Sequence, residues 1–328
     1  MTNTSLPGRC NLIIMGSYDV EKTLMVDLLF GNRRFDEWGK ALSEDDSKLQ
    51  YRYLETTKVL LKDFIQREDF RPYHFSEYGN FFHDCHYFLF VFNFYESQEV
   101  MDRDLDHYVK CLSKLHEKAP TARVFVMLHK KKTAVCIGDY PVTIPWKTEG
   151  EYQALEEMFR ELTKTIGQFE KYLTIYRTNI DNSTHFTAWS AIMRTIREPL
   201  ASWYDEKLEE LVKQWGVDEV VLYEAQTLFI VSQAGTTFTQ PQRLEKIAIS
   251  LKRFSEKHWQ PSRPLHSLNM RTADFQLVVE PFYQNTYLMV VTKNMEADMN
   301  EMIQRIKDLR KEWEAQYGIH PYYHNPYY

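Results

Sequence analysis

Apolar runs of strand length alternate with amphipathic stretches through the first half of the chain. The predicted strands are residues 12–15, 59–65, 70–75, 86–94, 124–128 and 173–178, and the predicted helices are residues 97–118, 151–169 and 184–196. Residues 86–94 are almost continuously apolar, which is typical of a parallel strand covered on both faces. Residues 31–57 are polar and lack periodicity, so we predict a long loop there. The alternation as a whole predicts an α/β domain with a doubly wound, mostly parallel sheet.

The second half of the chain has a different rhythm. Its predicted strands are residues 219–224, 228–232, 275–281 and 286–292, and its predicted helices are residues 201–215, 241–258 and 295–317. Strands that follow one another as hairpins, with helices beside them, predict a separate α+β domain. We therefore predict one domain at residues 1–199, a second at residues 200–318 and a disordered aromatic tail at residues 319–328.

Length, composition and charge limit the classes of protein to which this chain can belong. The 328 residues, of which 44% are hydrophobic, suffice for two cores. We find no apolar run of about 18 residues and no pattern of a signal peptide, so neither membrane insertion nor secretion is expected. The net charge of -6, without a long basic run, argues against nucleic acid as a partner. The four cysteines form no C-x-x-C pair, which favours free thiols in a reducing, cytoplasmic setting.

The order strand, loop, helix near the start of the chain is that of a phosphate-binding loop. Gly16 ends the first predicted strand, and Lys22 and Thr23 open the helix that follows, as in the pattern G-x-x-x-x-G-K-[ST]. Glu21 replaces the second glycine, so a carboxylate stands where a phosphate has to go and repels it. The loop alone leaves two interpretations open, an altered nucleotide site or the ordinary first strand and helix of an α/β sheet.

A cluster of potential zinc ligands precedes the strand at residues 86–94. It consists of His83, Asp84, Cys85 and His86, whose side chains are of types that bind zinc. Adjacent residues that enter a strand point to opposite faces, so the four cannot all converge on one ion. The sequence therefore favours a loop-to-strand junction over a metal site.

Taken together, the two halves resemble the Rag/Gtr family of small GTPases, and its RagA/RagB-like branch in particular. The resemblance is carried by the segments MGSYDVEKT, VFVMLHKKK and RTNIDNSTHFTAW in the first half and by DEVVLYEAQTLFIVS and NTYLMVV in the second. It implies a small-GTPase-like (P-loop) doubly wound domain, followed by a C-terminal α+β roadblock (longin-like) domain. It also implies a heterodimer with a RagC/RagD-like chain through the C-terminal domain. Such dimers signal amino-acid sufficiency to the TOR kinase complex at lysosomal or vacuolar membranes, where partners such as a Ragulator-like scaffold recruit them.

The resemblance assigns a vestigial nucleotide site to eight residues. They are Gly16, Glu21, Lys22, Thr23, Thr57, Glu77, His129 and Lys130. Thr23 and Thr57 are the two that would bind Mg²⁺, and only if a nucleotide binds. The resemblance gives no residue a catalytic role that this chain preserves.

Four further positions depart from the motifs of the family. Glu77 replaces the aspartate and Asn80 the glycine of D-x-x-G, and Phe81 lies where the family has a glutamine. Lys132 replaces the aspartate of H-K-x-D, and a lysine cannot accept hydrogen bonds from guanine. We therefore expect a pseudo-GTPase scaffold that is not an enzyme and has no cofactor, with GTP or GDP and Mg²⁺ only if the site is still competent. Two alternatives stay open: an active GTP-binding switch with atypical motifs, and a structural interaction protein outside TOR signalling.

Overall fold

The computed structural model describes the following parts of the chain: residues 10–16, 25, 49–54, 59–64, 82–94, 98–130, 134–137, 140–143, 148–179, 184–196, 198–225, 227–235, 247, 250, 266–283 and 286–317. The strands are β1 (Cys10–Gly16), β2 (Leu49–Leu54), β3 (Val59–Phe64), β4 (Tyr87–Asn93), β5 (Arg123–Lys130), β6 (Ala134–Ile137), β7 (Tyr140–Thr143), β8 (Leu173–Asn179), β9 (Glu219–Glu224), β10 (Ile230–Ala234), β11 (Leu268–Arg271), β12 (Gln276–Pro281) and β13 (Thr286–Thr292). The helices are α1 (Gln98–Lys118), α2 (Glu149–Lys164), α3 (Thr184–Ile196), α4 (Glu198–Trp215) and α5 (Met299–Tyr317). A short 3-10 helix at Phe169–Tyr172 lies between α2 and β8.

A six-stranded sheet organises the first half, with strand order β2-β3-β1-β4-β5-β8. β3, β1, β4, β5 and β8 are parallel, and β2 runs antiparallel to β3 at the edge. The strand order reverses between β1 and β4, as it does in doubly wound sheets. The predicted α/β fold class is confirmed.

The core of this half lies between one face of the sheet and the helices α1 and α2. β4 supplies alternate phenylalanines to it, and all of them are buried. Phe90 packs edge-to-face on Tyr108 of α1 at 5.1 Å, and Phe92 packs on Phe159 of α2 at 5.2 Å. Each fully buried aromatic side chain of this kind contributes about 1.5–3 kcal/mol through burial of its apolar surface. The apolar run that predicted β4 is therefore also the centre of the core.

The second half forms an antiparallel, five-stranded sheet with strand order β10-β9-β13-β12-β11. Side chains from α4 and α5 cover one face of it. Trp313 of α5 lies in the middle of this core, with its ring centroid 5.1 Å from Trp203 and 5.0 Å from Phe282. An antiparallel sheet with helices on one face is the α+β arrangement that the sequence predicts.

The chain divides into two compact units between Ala188 and Trp189, within α3. Each unit contains its own hydrophobic core. The domain boundary that we predicted between residues 199 and 200 stays a prediction.

Three parts of the secondary-structure prediction were wrong. β2 lies within the stretch predicted as a long loop, the β6–β7 hairpin lies where we predicted no strand, and β11 precedes the strand predicted at residues 275–281. These strands are short or rich in polar residues, so they lack the apolar run by which a buried strand is recognised. The strand predicted at residues 70–75, the tail and, apart from residues 247 and 250, the helix predicted at residues 241–258 lie outside the described residues.

No helix in the described ranges combines the length and the apolar character that crossing a membrane requires.

Candidate functional site

In doubly wound sheets, ligands bind outside the carboxyl ends of the strands, where the strand order reverses. In this sheet that place lies beyond Gly16, the last residue of β1, and beyond the end of β4. A Cβ atom at Gly16 would lie 2.0 Å from the carbonyl oxygen of Val91 in β4, so no side chain fits there. The close approach of the two strands thus requires glycine at this position, whether or not phosphate binds.

The other residues assigned to phosphate and Mg²⁺ lie outside the described residues. They are Glu21, Lys22, Thr23, Thr57 and Glu77, and the same holds for the altered positions Asn80, Phe81 and Lys132. Their roles in binding therefore stay predictions that rest on the sequence.

His129 and Lys130, which the resemblance assigns to base recognition, are the last two residues of β5. They lie at the carboxyl edge of the sheet, because β5 extends two residues beyond the strand predicted at residues 124–128, and their exposed fractions are only 0% and 1%. The Nδ1 atom of His129 lies 2.9 Å from Oγ1 of Thr178 in β8, within hydrogen-bonding distance. The carbonyl oxygen of His129 accepts a hydrogen bond from the amide of Phe94 at 3.2 Å. The ring of His129 thus contacts β8, and its backbone binds the residue that follows β4.

The burial of His129 and Lys130 determines whether a nucleotide base could contact their side chains. A residue that stacks on a base, or reads its edge, needs an open surface on the side from which the base arrives. His129 and Lys130 offer no such surface in this conformation, because protein atoms cover both side chains. In this conformation, neither side chain presents a surface on which a base could stack.

Arg177 of β8 connects this edge of the sheet to the start of α2. Its Nη1 atom donates to both carboxylate oxygens of Glu149 at 2.7 Å, and its Nε atom donates to Oε1 of Glu156 at 2.7 Å. The guanidinium carbon also lies 4.9 Å from the centre of the Tyr152 ring. Hydrogen bonding to Arg177 lowers the pKa of Glu149, and hydrogen bonding to Glu149 raises the pKa of Arg177. Both shifts favour the ion pair.

The next two residues of β8 bind other elements. Thr178 contacts His129 of β5, and the backbone of Asn179 contacts the first turn of α3. The amide of Asn179 donates to Oγ1 of Thr184 at 2.9 Å, and its carbonyl oxygen accepts from Nδ1 of His185 at 3.1 Å. We call Arg177, Thr178 and Asn179 together the β8 junction. Sequence reasoning missed it, although the segment RTN lies within a stretch that carried the family resemblance.

The side chains at residues 83–86 have separate partners. Nδ1 of His83 lies 3.0 Å from a carboxylate oxygen of Asp84, Sγ of Cys85 donates to the carbonyl oxygen of Tyr87 at 3.2 Å, and Nδ1 of His86 accepts from the amide of Asn11 at 3.2 Å. Among the described residues, no group of three or more histidine, cysteine, aspartate or glutamate side chains is arranged to hold a metal ion.

The Gtr1/RagA G protein conserved region matches this chain at residues 11–251. Ras-related GTP-binding protein A of Dictyostelium discoideum is 24% identical over 308 residues, which cover 92% of this chain and 96% of the relative. GTP-binding protein gtr1 of Schizosaccharomyces pombe is 25% identical over 314 residues, which cover 94% and 96%. Ras-related GTP-binding protein B of Rattus norvegicus is 23% identical over 283 residues, which cover 85% and 71%.

Two solved structures are similar to parts of the chain. The Roadblock/LC7 domain of Streptomyces avermitilis has a TM-score of 0.24 and 19% identity, and the match covers 30% of this chain and 83% of that domain. Myxococcus xanthus MglB has a TM-score of 0.27 and 16% identity, with coverages of 35% and 90%.

Proposed function

Because the chain belongs to the Gtr1/RagA family of G proteins, we propose that it is a RagA-like subunit whose nucleotide site has degenerated, a pseudo-GTPase scaffold. The observation that carries this proposal is the burial of His129 and Lys130. The two residues that would meet a guanine base are covered by protein instead.

The substitutions at the site support the same proposal. Glu21 brings a negative charge to the phosphate side, and Lys132 brings a hydrogen-bond donor to the place where guanine presents donors. A buried polar group left without its partner costs about 1–3 kcal/mol, and one such loss on each side weakens binding by orders of magnitude. Together with Phe81, which cannot orient a water molecule as glutamine does, they predict that GTP turnover is lost.

The partner we propose is a RagC/RagD-like chain that binds the second unit. β11 lies at the edge of the five-stranded sheet and pairs, among the described strands, with β12 alone. Its residues Asn269, Met270 and Arg271 are exposed, and an exposed edge strand is a template for pairing with another chain. As the family resemblance implies, the dimer would act in amino-acid signalling to the TOR kinase complex. It would reach lysosomal or vacuolar membranes through partners such as a Ragulator-like scaffold.

The nucleotide content of the purified protein tests the proposal. The chain is purified alone and with a RagC-like partner, each preparation is denatured, and the released nucleotide is identified by chromatography and mass. We expect a stable heterodimer in which this chain contributes no stoichiometric GTP or GDP. The partner chain with its own lysine of the phosphate-binding loop replaced serves as the control, because any nucleotide that remains then belongs to this chain.

The second candidate is a working GTP-binding switch with atypical motifs. It is favoured by the names of the relatives, which call them GTP-binding proteins. Stoichiometric nucleotide in this chain would favour the switch and contradict the scaffold. Lys22→Ala should then abolish that binding, since Lys22 is the residue of the loop that contacts phosphate oxygens.

A further inference from the structure

The β8 junction forms contacts at the carboxyl edge of the first sheet, on both faces of that sheet. Successive residues of a strand point to opposite faces, so Arg177 and Thr178 act on different sides of the sheet. Arg177 lies on the face covered by α2, where it binds Glu149 and Glu156. Thr178 lies on the other face, where it contacts the His129 ring.

Asn179 adds a third attachment, and it uses the main chain. Both polar groups of its backbone bind side chains in the first turn of α3, Thr184 and His185. The end of β8 is therefore connected to β5, α2 and α3 at once. β5 lies in the segment VFVMLHKKK, which the family resemblance assigns to the strand and base-recognition motif, and the end of β8 and the start of α3 lie in RTNIDNSTHFTAW, which it assigns to the last strand-helix unit.

A nucleotide-binding domain obtains part of its stability from its ligand, because a ligand that binds only the folded state shifts the folding equilibrium towards that state. We propose that the β8 junction supplies the stability that a bound nucleotide gives to other nucleotide-binding domains. Protein contacts alone then keep the base-side edge of the first unit folded. This inference rests on the proposed function. It explains how a member of a G-protein family stays folded with a degenerated nucleotide site.

Thermal unfolding and hydrogen exchange of the full chain test the inference. The variants are Arg177→Met, which removes the ion pairs, and Thr178→Val, which removes the hydroxyl group at constant shape. Lys110→Met is the matched control, because Lys110 forms an exposed ion pair with Asp106 on α1 of the same unit, whereas Arg177 also binds the partly buried Glu156. We expect each junction variant to lower the Tm of the first unit by about 2–8 °C. The control should leave that Tm unchanged within about 1 °C, since exposed ion pairs contribute little.

Amide exchange at individual residues distinguishes local loosening of the carboxyl edge of the sheet from destabilisation of the whole unit. Backbone amides at Lys130, at Tyr152 and at His185 should exchange at least tenfold faster in both junction variants. Amides in the middle of β4, such as that of Phe90, should change less. Thr178→Ser keeps the hydroxyl group and should restore most of the protection that Thr178→Val loses. Exchange that rises equally at Phe90 and at the edge, or no rise at the edge, would overturn the inference.

Millimolar GTP with Mg²⁺ distinguishes this inference from the proposed function. If the nucleotide leaves the Tm of the wild type and of the variants unchanged, and the edge amides behave as expected, both are supported. If the nucleotide raises the Tm of the wild type, the proposed function fails. If the nucleotide also restores slow exchange of the edge amides in Arg177→Met, the junction does not replace the stabilisation by a bound nucleotide, and the inference fails as well.

Discussion

Gly16 lies where two strands approach each other so closely that a side chain has no room. Its role in the sheet is separate from any role in phosphate binding, since the carbonyl oxygen of Val91 occupies the place of a Cβ atom. Lys130 lies at the same edge of the sheet. The family resemblance assigns it to ligand binding, but protein atoms cover its side chain. In both cases the packing, and not the residue type, determines what the residue can do.

We predict that Gly16→Ala lowers the free energy of unfolding by about 1–3 kcal/mol or more, because β1 and β4 must move apart to admit the methyl group. Urea unfolding followed by tryptophan fluorescence measures the change. Gly150→Ala in the first turn of α2 is the control: its Cβ would meet only Oγ1 of Thr148, at 4.0 Å, and alanine favours helix by up to about 1 kcal/mol. Equal stabilities for Gly16→Ala and the wild type would contradict the prediction.

Tyr108 should make stability depend on alkaline pH. Burial raises the pKa of its phenol, so the folded state favours the protonated form. The stability contributed by this group is therefore complete below pH about 10, the ordinary pKa of tyrosine, and is lost as the pH rises above it. Urea unfolding at pH 8–11 measures the slope.

Tyr108→Phe should make that slope less steep, while costing about 1 kcal/mol at pH 8 because the hydroxyl contact of 2.7 Å with Thr163 is lost. Tyr172→Phe is the control, since the Tyr172 side chain is exposed. An unchanged slope in Tyr108→Phe would mean that this phenol ionises equally well in the folded and unfolded states.

At the scale of elements, the sequence predicted best those strands and helices whose apolar residues face the core. The run at residues 86–94 identified β4 almost residue for residue, and β9 and β13 were predicted with their observed bounds. α2 was predicted as one helix over residues 151–169, whereas it ends at Lys164 and a 3-10 helix follows. Gly167, with φ of +71°, lies between the two, and such a conformation favours glycine and interrupts a helix.

α2 begins with a capping box, whose removal should destabilise the first unit. Oγ1 of Thr148 accepts from the amide of Glu151, and the Glu151 carboxylate accepts from the amide of Thr148 at 2.7 Å. We expect Thr148→Ala to cost about 0.5–2 kcal/mol in urea unfolding. Thr165→Ala, at the other end of the same helix, removes only a hydrogen bond to the Leu162 carbonyl oxygen and should cost less. A larger effect of Thr165→Ala would contradict this account of the helix start.

At the scale of the whole molecule, the presence of two cores predicts that one unit can unfold while the other stays folded. Trp313→Ala should cost about 3–5 kcal/mol, because the Trp313 ring packs on Trp203 and Phe282 in the second core. Hydrogen exchange should then accelerate at β12 and β13 while β4 stays protected, and co-purification with a RagC-like partner should be lost. Phe159→Ala in the first core is the matched variant and should give the opposite pattern.

The general architecture could be predicted from the sequence, whereas the contacts at the candidate site could not. The pattern of apolar residues predicted a strand at residues 124–128, directly before His129 and Lys130. Their burial could not be predicted in this way, because it depends on neighbours such as Thr178, 49 residues away along the chain. Arg177 was missed for the same reason, since its partner Glu149 is 28 residues away. Such pairs meet only through the order of strands in the sheet.

The tight contact between Gly16 and Val91 also bears on genetics. A screen for inactive alleles would recover substitutions of Gly16 as loss-of-protein alleles, since a chain that cannot close its sheet is degraded in the cell. Such alleles would carry no information about nucleotide. An allele of Lys22 is expected to have a phenotype only if phosphate is bound. Comparing steady-state protein levels for alleles at these two positions would therefore separate loss of the polypeptide from loss of a ligand in living cells.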